Sequence, residues 1–377
     1  MLRIYLRIFA LVILVNLISS AQNNLPNLFT IGTGDDVIKV IVVKGTPYEM
    51  GYQLGETLKD DVDKCMSYFL KYAEMGEPSR YNNKVLDEAW ISVEPYIDNR
   101  FKEELRGLAE GSGIDWDKLK RAQMIPVVGD YACSGVSVWG SATENGSLLQ
   151  IRNLDFTMGG GLQDFPVIVI YQPNEGIPHA SATFAGYIGA HTGINAKGIV
   201  LSEKGASPKR EYPFDLDGTH FSTLFRDLLY DANTLNEALH KIETTKLIKR
   251  YHLYIGDGKK ETMGAAKILV SSPDQVKLKI WKDNDQTDEV APNIFKDACY
   301  YTMDNEKAFK FLSDNHGKMN AEKMIELSKL VADEDGNLED VVYDATNLEM
   351  WVAYANGNEV ASKRPYIHID LKKYLLK

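Results

Sequence analysis

The sequence predicts a layered α+β fold, and three observations predict it. Residues 47 to 125 carry apolar positions at helical spacing, whereas from Cys133 onward short apolar runs alternate with polar turns. Pairs of helical segments interrupt those runs. A Rossmann-type alternation of single strands and single helices is missing, which separates this pattern from doubly wound α/β folds.

Taken in order, Val37 to Val43 is a run of mostly β-branched residues and predicts a strand. Residues 47 to 75 predict a helix, because Pro47 suits a first turn and Met50, Leu54, Leu58 and Val62 recur at spacing four. Further helices are expected over 82–96, 98–110 and 115–125, the last two separated by Gly111-Ser112-Gly113 and an Asp115 cap. Strands are expected near 134–140, 147–152, 166–171, 180–185 and 198–202, then helices at 220–231 and 234–244. Strands at 251–256, 266–271 and 276–281, helices at 304–313 and 320–332, and strands at 339–344 and 349–355 complete the chain. The Gly159-Gly160-Gly161 triplet lacks the βαβ setting of a phosphate loop and reads as a mobile loop.

The 377 residues suffice for one large domain or two modest ones, and 44% apolar residues provide for a sizeable core. Residues 1–21 stand apart. Arg3 and Arg7 precede a short apolar run, and Ser19-Ser20-Ala21 offers small residues for cleavage, so this stretch reads as a secretory signal peptide. The run is short for a membrane span, although an uncleaved anchor is the alternative. The expected location is outside the cytoplasm: secreted, periplasmic or lysosomal, with no membrane span in the mature form. Removing residues 1–21 takes away two arginines and no acid, moving the formal net charge from −11 to −13. That acidity disfavours nucleic acid as a partner.

Three cysteines are present, Cys65, Cys133 and Cys299, and an odd count in a secreted chain flags a free or reactive thiol. With Cys133 set aside, Cys65 and Cys299 are either a disulfide or two ordinary buried thiols. Cys133 heads the apolar run Ser134–Gly140, and the return run Leu148–Phe156 carries Arg152 and Asp155. Asn145-Gly146 is a turn signal between them. A loop centred there places residues 155 to 158 opposite Cys133, with Asp155 beside the thiol and Arg152 turned to the other face unless the strand bulges.

This layout suits a precursor that cuts itself before Cys133. A free α-amine has a pKa of about 7.7 to 8.0, so near neutral pH it can accept the proton of its own thiol. Asp155 would hold the amine, Arg152 would favour the thiolate, and the thiolate would attack an acyl carbon. The alternative is a buried strand cysteine, the usual fate of a lone thiol.

On these residues the chain resembles the isopenicillin N acyltransferase family of self-processing Ntn cysteine hydrolases. Acid ceramidase, N-acylethanolamine acid amidase and choloylglycine hydrolases are more distant relatives of that family. The segment from Cys133 through Val138-Trp139-Gly140 and Asn145-Gly146 to Arg152-Asn153-Leu154-Asp155 carries the resemblance. Weaker matches are Gly45–Gly51 with Gly55, Glu103–Gly113, and Gly193–Gly198. The resemblance implies a four-layer αββα sandwich, fragments 22–132 and 133–377 that stay associated, and Cys133, Arg152 and Asp155 in catalysis without metal or cofactor. It also implies an oxyanion-hole asparagine, for which Asn293 is the candidate; Asn195 competes but reads as a turn residue. Gly135 departs from the family, which places a hydroxyl residue there.

The seven histidines show no metal-ligand spacing, and His191 reads as a surface or satisfied histidine more readily than as a pocket residue. The expected activity is hydrolysis or acyl transfer on a linear amide of a small molecule. A lipid N-acyl amide or ester hydrolase is the second reading, and a non-catalytic binding protein on the same scaffold is the third.

Overall fold

The computed structural model describes residues 27–130, 132–207, 211–270, 278–282, 285, 287–291 and 295–376. The expected signal peptide and Asn293 lie outside the described residues. In chain order the strands are β1 (Asn27–Ile31), β2 (Ile38–Gly45), β3 (Ala132–Val138), β4 (Leu149–Asp155) and β5 (Pro166–Pro173). Next come β6 (His179–Phe184), β7 (Thr192–Asn195), β8 (Ile199–Gly205), β9 (Tyr251–Asp257) and β10 (Gly264–Val270). The last are β11 (Leu278–Lys282), β12 (Ala298–Tyr301), β13 (Glu339–Asp344), β14 (Glu349–Tyr354) and β15 (Ile367–Asp370).

Among the described residues these strands form two sheets. One runs β1-β2-β5-β6-β7-β8-β9-β10-β11 and the other β12-β3-β4-β13-β14-β15. The sheets meet face to face where β3 and β4 cross β8 and β9. The buried contact there is partly polar: Ser137 Oγ donates to Gln150 Oε1 at 2.8 Å, and Gln150 Nε2 donates to Ser202 Oγ at 2.8 Å. Helices Phe221–Asp231 and Leu235–Thr244 cover the outer face of the larger sheet, burying Phe221, Leu224, Phe225, Leu239 and Ile242 on Ile199, Leu201 and Ile255. Helices Asn305–Asn315 and Ala321–Val331 cover the smaller sheet, placing Leu312, Met324 and Leu327 against Val136, Ile151 and Val342. The order helix, sheet, sheet, helix is the expected αββα sandwich, an α+β fold.

The segment before Cys133 is not a separate body. Its strand β2 pairs in parallel with β5 inside the larger sheet, and five described helices of at least eleven residues wrap that end of the sandwich. The helix expected over 47–75 is two helices, Pro47–Thr57 and Lys59–Gly76, broken at Leu58, whose φ and ψ of −110° and 24° are not helical. The first opens with a capping box between Thr46 and Glu49, as Pro47 at the first turn foreshadows.

Pro47–Thr57 crosses Asn99–Ser112 backbone to backbone. A Cβ built on Gly51 would stand 1.9 Å from Glu104 O, one on Gly107 2.0 Å from Tyr48 O, and one on Gly111 2.2 Å from Tyr52 O. Glycines four apart on both helices permit this approach. The motifs that carried a family likeness in the sequence therefore have a packing reason. Asn99–Ser112 ends at Gly113 in the left-handed region, φ 70°, and Asp115 caps the helix Trp116–Val128 by accepting from Lys118 N at 3.0 Å. No helix among the described residues is long and apolar enough to cross a membrane.

Candidate active site

Cys133 is the second residue of β3 and is wholly buried. The observed register pairs Cys133 with Leu154, Gly135 with Arg152 and Ala132 with Asp155. The expectation that Asp155 flanks the thiol while Arg152 turns away is therefore reversed. The connection from Trp139 to Leu148 is longer than a tight hairpin, containing a 3-10 turn at Gly140–Ala142 before Asn145-Gly146. That extra turn moves the pairing by one residue, and one residue of slip exchanges the two faces of a strand.

The exchange puts a guanidinium on the sulfur. Arg152 Nη2 is 3.4 Å from Cys133 Sγ and 3.2 Å from Glu203 Oε2, and its Nη1 is 4.0 Å from Glu339 Oε1. All three charged side chains are fully buried. Glu339 Oε1 also meets His191 Nε2 at 3.0 Å. A second basic side chain reaches Cys133 from β8: Lys204 Nζ donates to the carbonyl oxygen of Cys133 at 2.7 Å. Burial pushes the Cys133 thiol up to about 12, against the lowering pull of Arg152. Burial likewise lowers the pKa of Lys204 and that of His191, the latter opposed by Glu339.

Asp155 sits on the opposite face of the strand pair, across from Ala132. Its Oδ1 accepts from Asp333 N and from Asn337 Nδ2, both at 3.1 Å. Its Oδ2 is buried without a hydrogen-bond partner among the described residues. Burial pushes this carboxyl up to about 7. Asn337 Nδ2 also reaches Asp340 Oδ1 at 2.7 Å, and burial pushes Asp340 up to about 8.

An apolar cavity opens on the Arg152 side. It is walled by Phe69, Tyr81, Phe156, Phe184, Tyr187 and Phe221, with Pro126 and Gly129. Arg152 and His191 are its basic wall residues. His191 thus lines a pocket, the reading the sequence favoured less.

Other expectations resolve differently. Asn195 is a turn residue as read: its Oδ1 accepts from Lys197 N and Ile199 N, and its Nδ2 donates to Leu229 O and Ala232 O. Cys65 and Cys299 are free buried thiols, one on the helix Lys59–Gly76 and one on β12, so no bridge links the two halves of the chain. At Gly135 a Cβ would stand 2.4 Å from the Tyr254 ring, so a Ser or Thr there is excluded by an aromatic side chain from the facing sheet.

Sequence reasoning missed Glu203, Lys204 and Glu339. The signal for the first two was present, since Glu203-Lys204 directly follows the apolar run Ile199–Ser202. Adjacent charges look like a strand end. Here β8 continues through them to Gly205 and carries both into the interior.

No family model matches the chain. It is similar to protein dcd1B of Dictyostelium discoideum, 28% identical over 360 residues that cover 86% of this chain and 70% of that protein. Protein dcd1A of the same organism is 29% identical over 257 residues, covering 59% of this chain and 56% of that protein. Among solved structures, a Caenorhabditis elegans N-acylethanolamine-hydrolyzing acid amidase ortholog gives a TM-score of 0.45 at 18% identity, covering 57% of this chain and 93% of its own. A mutant conjugated bile acid hydrolase from Clostridium perfringens gives a TM-score of 0.43 at 11% identity, covering 64% of this chain and 93% of its own.

Proposed function

We propose that the protein is an Ntn-type cysteine amidohydrolase or acyltransferase that cuts its own chain before Cys133 and then acts on a linear amide. The observation that carries this reading is the Cys133 sulfur at the start of a strand, held 3.4 Å from the guanidinium of Arg152, a residue that lines an apolar cavity. A buried thiol with no task needs no buried cation, and burying one is expensive.

In the self-cleavage step the Cys133 sulfur attacks the Ala132 carbonyl carbon, and the thiol proton passes to the Cys133 nitrogen as the C–N bond breaks. The resulting thioester is hydrolysed by water, which returns the thiol and leaves a carboxylate on Ala132. The freed amine then serves as base for its own sulfur. Asp155 Oδ2, open in the uncut chain, takes the new ammonium. Lys204 holds the Cys133 carbonyl and so fixes the rotation of the nucleophile. An incoming amide places its acyl group in the aromatic cavity, the sulfur attacks, the amine leaves with the proton from Cys133 nitrogen, and water or an acceptor amine releases the acyl group. The lining favours an apolar acyl group of small-molecule or lipid origin. A profile of rate against acyl chain length separates the two. The narrower likeness to the isopenicillin N acyltransferase family is part of this proposal, as are export and the removal of residues 1–21.

After cleavage the small fragment, ending at Ala132, stays bound to the large one, because β2 remains in the sheet and the buried Glu104–Arg226 pair crosses between them. The direct test is denaturing electrophoresis with N-terminal sequencing of the mature protein. Two fragments, the larger beginning at Cys133, are expected. An active preparation that consists wholly of uncut chain rejects the reading.

Asp155 gives a pH signature. Its carboxyl, raised to about 7 in the folded uncut chain, ionises near 3.9 when unfolded. The folded chain therefore binds this proton more tightly, and the associated stability is full below pH 4 and lost as pH rises through 7. In an uncut Cys133→Ala background, Asp155→Asn is expected to flatten that loss, by an amount on the order of a few kcal/mol between pH 4 and 7. Urea unfolding at the two pH values measures it. Parallel curves with and without the carboxyl would show that Asp155 is not the group that titrates.

A further inference from the structure

The helix Trp116–Val128 ends just before the proposed cut, where a helix leaves carbonyls without partners. Two buried basic side chains take them. Arg80 donates from Nε to Val128 O at 2.7 Å and pairs through Nη1 with Asp130. Lys249 donates from Nζ to Pro126 O at 3.2 Å and to Gly129 O. Each residue is 1% exposed. The charges lie on aromatic rings, with Arg80 4.5 Å from Tyr212 and Lys249 4.7 Å from Phe214. Lys249 also adopts a φ of 62°, a left-handed conformation unfavourable for a residue with a side chain.

A solvent-exposed lysine or arginine caps a helix end without burying its charge. Here two buried basic side chains converge on residues 126–130, and burial pushes Lys249 down to about 7 while its hydrogen bonds to the two carbonyls need only its N–H groups. Arg80 precedes the cut and Lys249 follows it, so the anchors come from both future fragments. Pro126 and Gly129, whose carbonyls Lys249 holds, are also walls of the cavity.

We infer that Lys249 is a positioning residue for the self-cleavage, and that with Arg80 it keeps residues 126–130 as a wall of the acyl pocket after the cut. The inference rests on the self-cleavage reading given above. Before the cut, the anchors fix the chain to Asp130, two residues before Ala132, which carries the scissile carbonyl. A carbonyl so tethered stays within reach of the sulfur, whereas a free tail would spend most of its time elsewhere. After the cut, the hydrogen bonds remain, because none of their atoms belongs to the bond that breaks.

The test follows conversion of full-length chain by denaturing electrophoresis for the parent, Lys249→Met and Lys249→Arg. Lys249→Met is expected to cut about tenfold more slowly, with Lys249→Arg recovering most of the rate. Once cut, Lys249→Met should show KM raised about fivefold with kcat nearly unchanged, since it loosens a pocket wall and leaves the sulfur in place. Hydrogen–deuterium exchange on the cut parent needs no substitution at Lys249. Amides 127–130 should be as protected after the cut as in uncut Cys133→Ala. Parent-like cutting and KM in Lys249→Met, or a tail that exchanges freely after the cut, overturns the inference. A parent that never cuts overturns the self-cleavage reading instead.

Discussion

Cys133→Ala is expected to persist as one uncut chain and to lose amide hydrolysis by a factor on the order of 10⁴ or more. In the proposed mechanism both losses follow from one atom, since the same sulfur opens the Ala132–Cys133 bond and attacks the substrate. The variant should still fold. The side chain lost is small, and the charges around it, Arg152 with Glu203 and Glu339, remain paired with one another. Intact-mass measurement of the purified chain and a direct amide-hydrolysis assay read the two losses separately. Thiol alkylation adds a third reading. In the uncut chain burial holds the Cys133 thiol near 12 and inside the protein, so alkylation there should be slow. In the proposed mechanism cleavage removes the peptide link to Ala132, and alkylation should then accelerate. A Cys133→Ala chain that is cut at the normal position and turns over substrate would remove the sulfur from the mechanism altogether.

Much of this fold was legible in the sequence, and the failures share a physical cause. Helix starts with a local signal were placed well, Pro47 at a first turn and Asp115 as a cap, and so was the Phe221–Leu228 face of a helix that covers the larger sheet. The strands β1, β7, β12 and β15 were not read. Each has only four or five residues, and their pairing partners, not their own residues, make them strands. The site shows the same division. Which residues lie near Cys133 along the chain was readable. Which face each occupies depended on the length of one connection, and a single turn of 3-10 helix between Trp139 and Thr143 exchanged Arg152 for Asp155. Glu203, Lys204 and Glu339 arrive from the facing sheet or a distant strand, and no local pattern carries that information.

Arg152→Met is the more severe test of how these charges depend on one another. Arg152 is the hub: its guanidinium touches the Cys133 sulfur and faces two buried carboxylates, Glu203 and Glu339. Methionine fills much of the volume but leaves those carboxylates without the cation between them. Removing one partner of a buried ionic cluster costs about 3–5 kcal/mol, far more than the loss of a surface pair. Chemical unfolding at pH 7 should show that drop. The chemistry should fail alongside, since Arg152 is the largest influence lowering the thiol pKa against burial. Self-cleavage and turnover are expected to slow by roughly 10²–10³-fold, with the alkylation rate of the cut enzyme shifted to higher pH. Arg152→Lys separates the two effects. It restores a charge among the carboxylates but offers one nitrogen in place of a planar fork, so it cannot serve both them and the sulfur. Stability should therefore return further than catalysis does. If Arg152→Met cuts and turns over like the parent while losing stability, the arginine is only the counter-ion of two glutamates, and the thiol must be activated from elsewhere, with Lys204, on the Cys133 carbonyl, the nearest remaining cation.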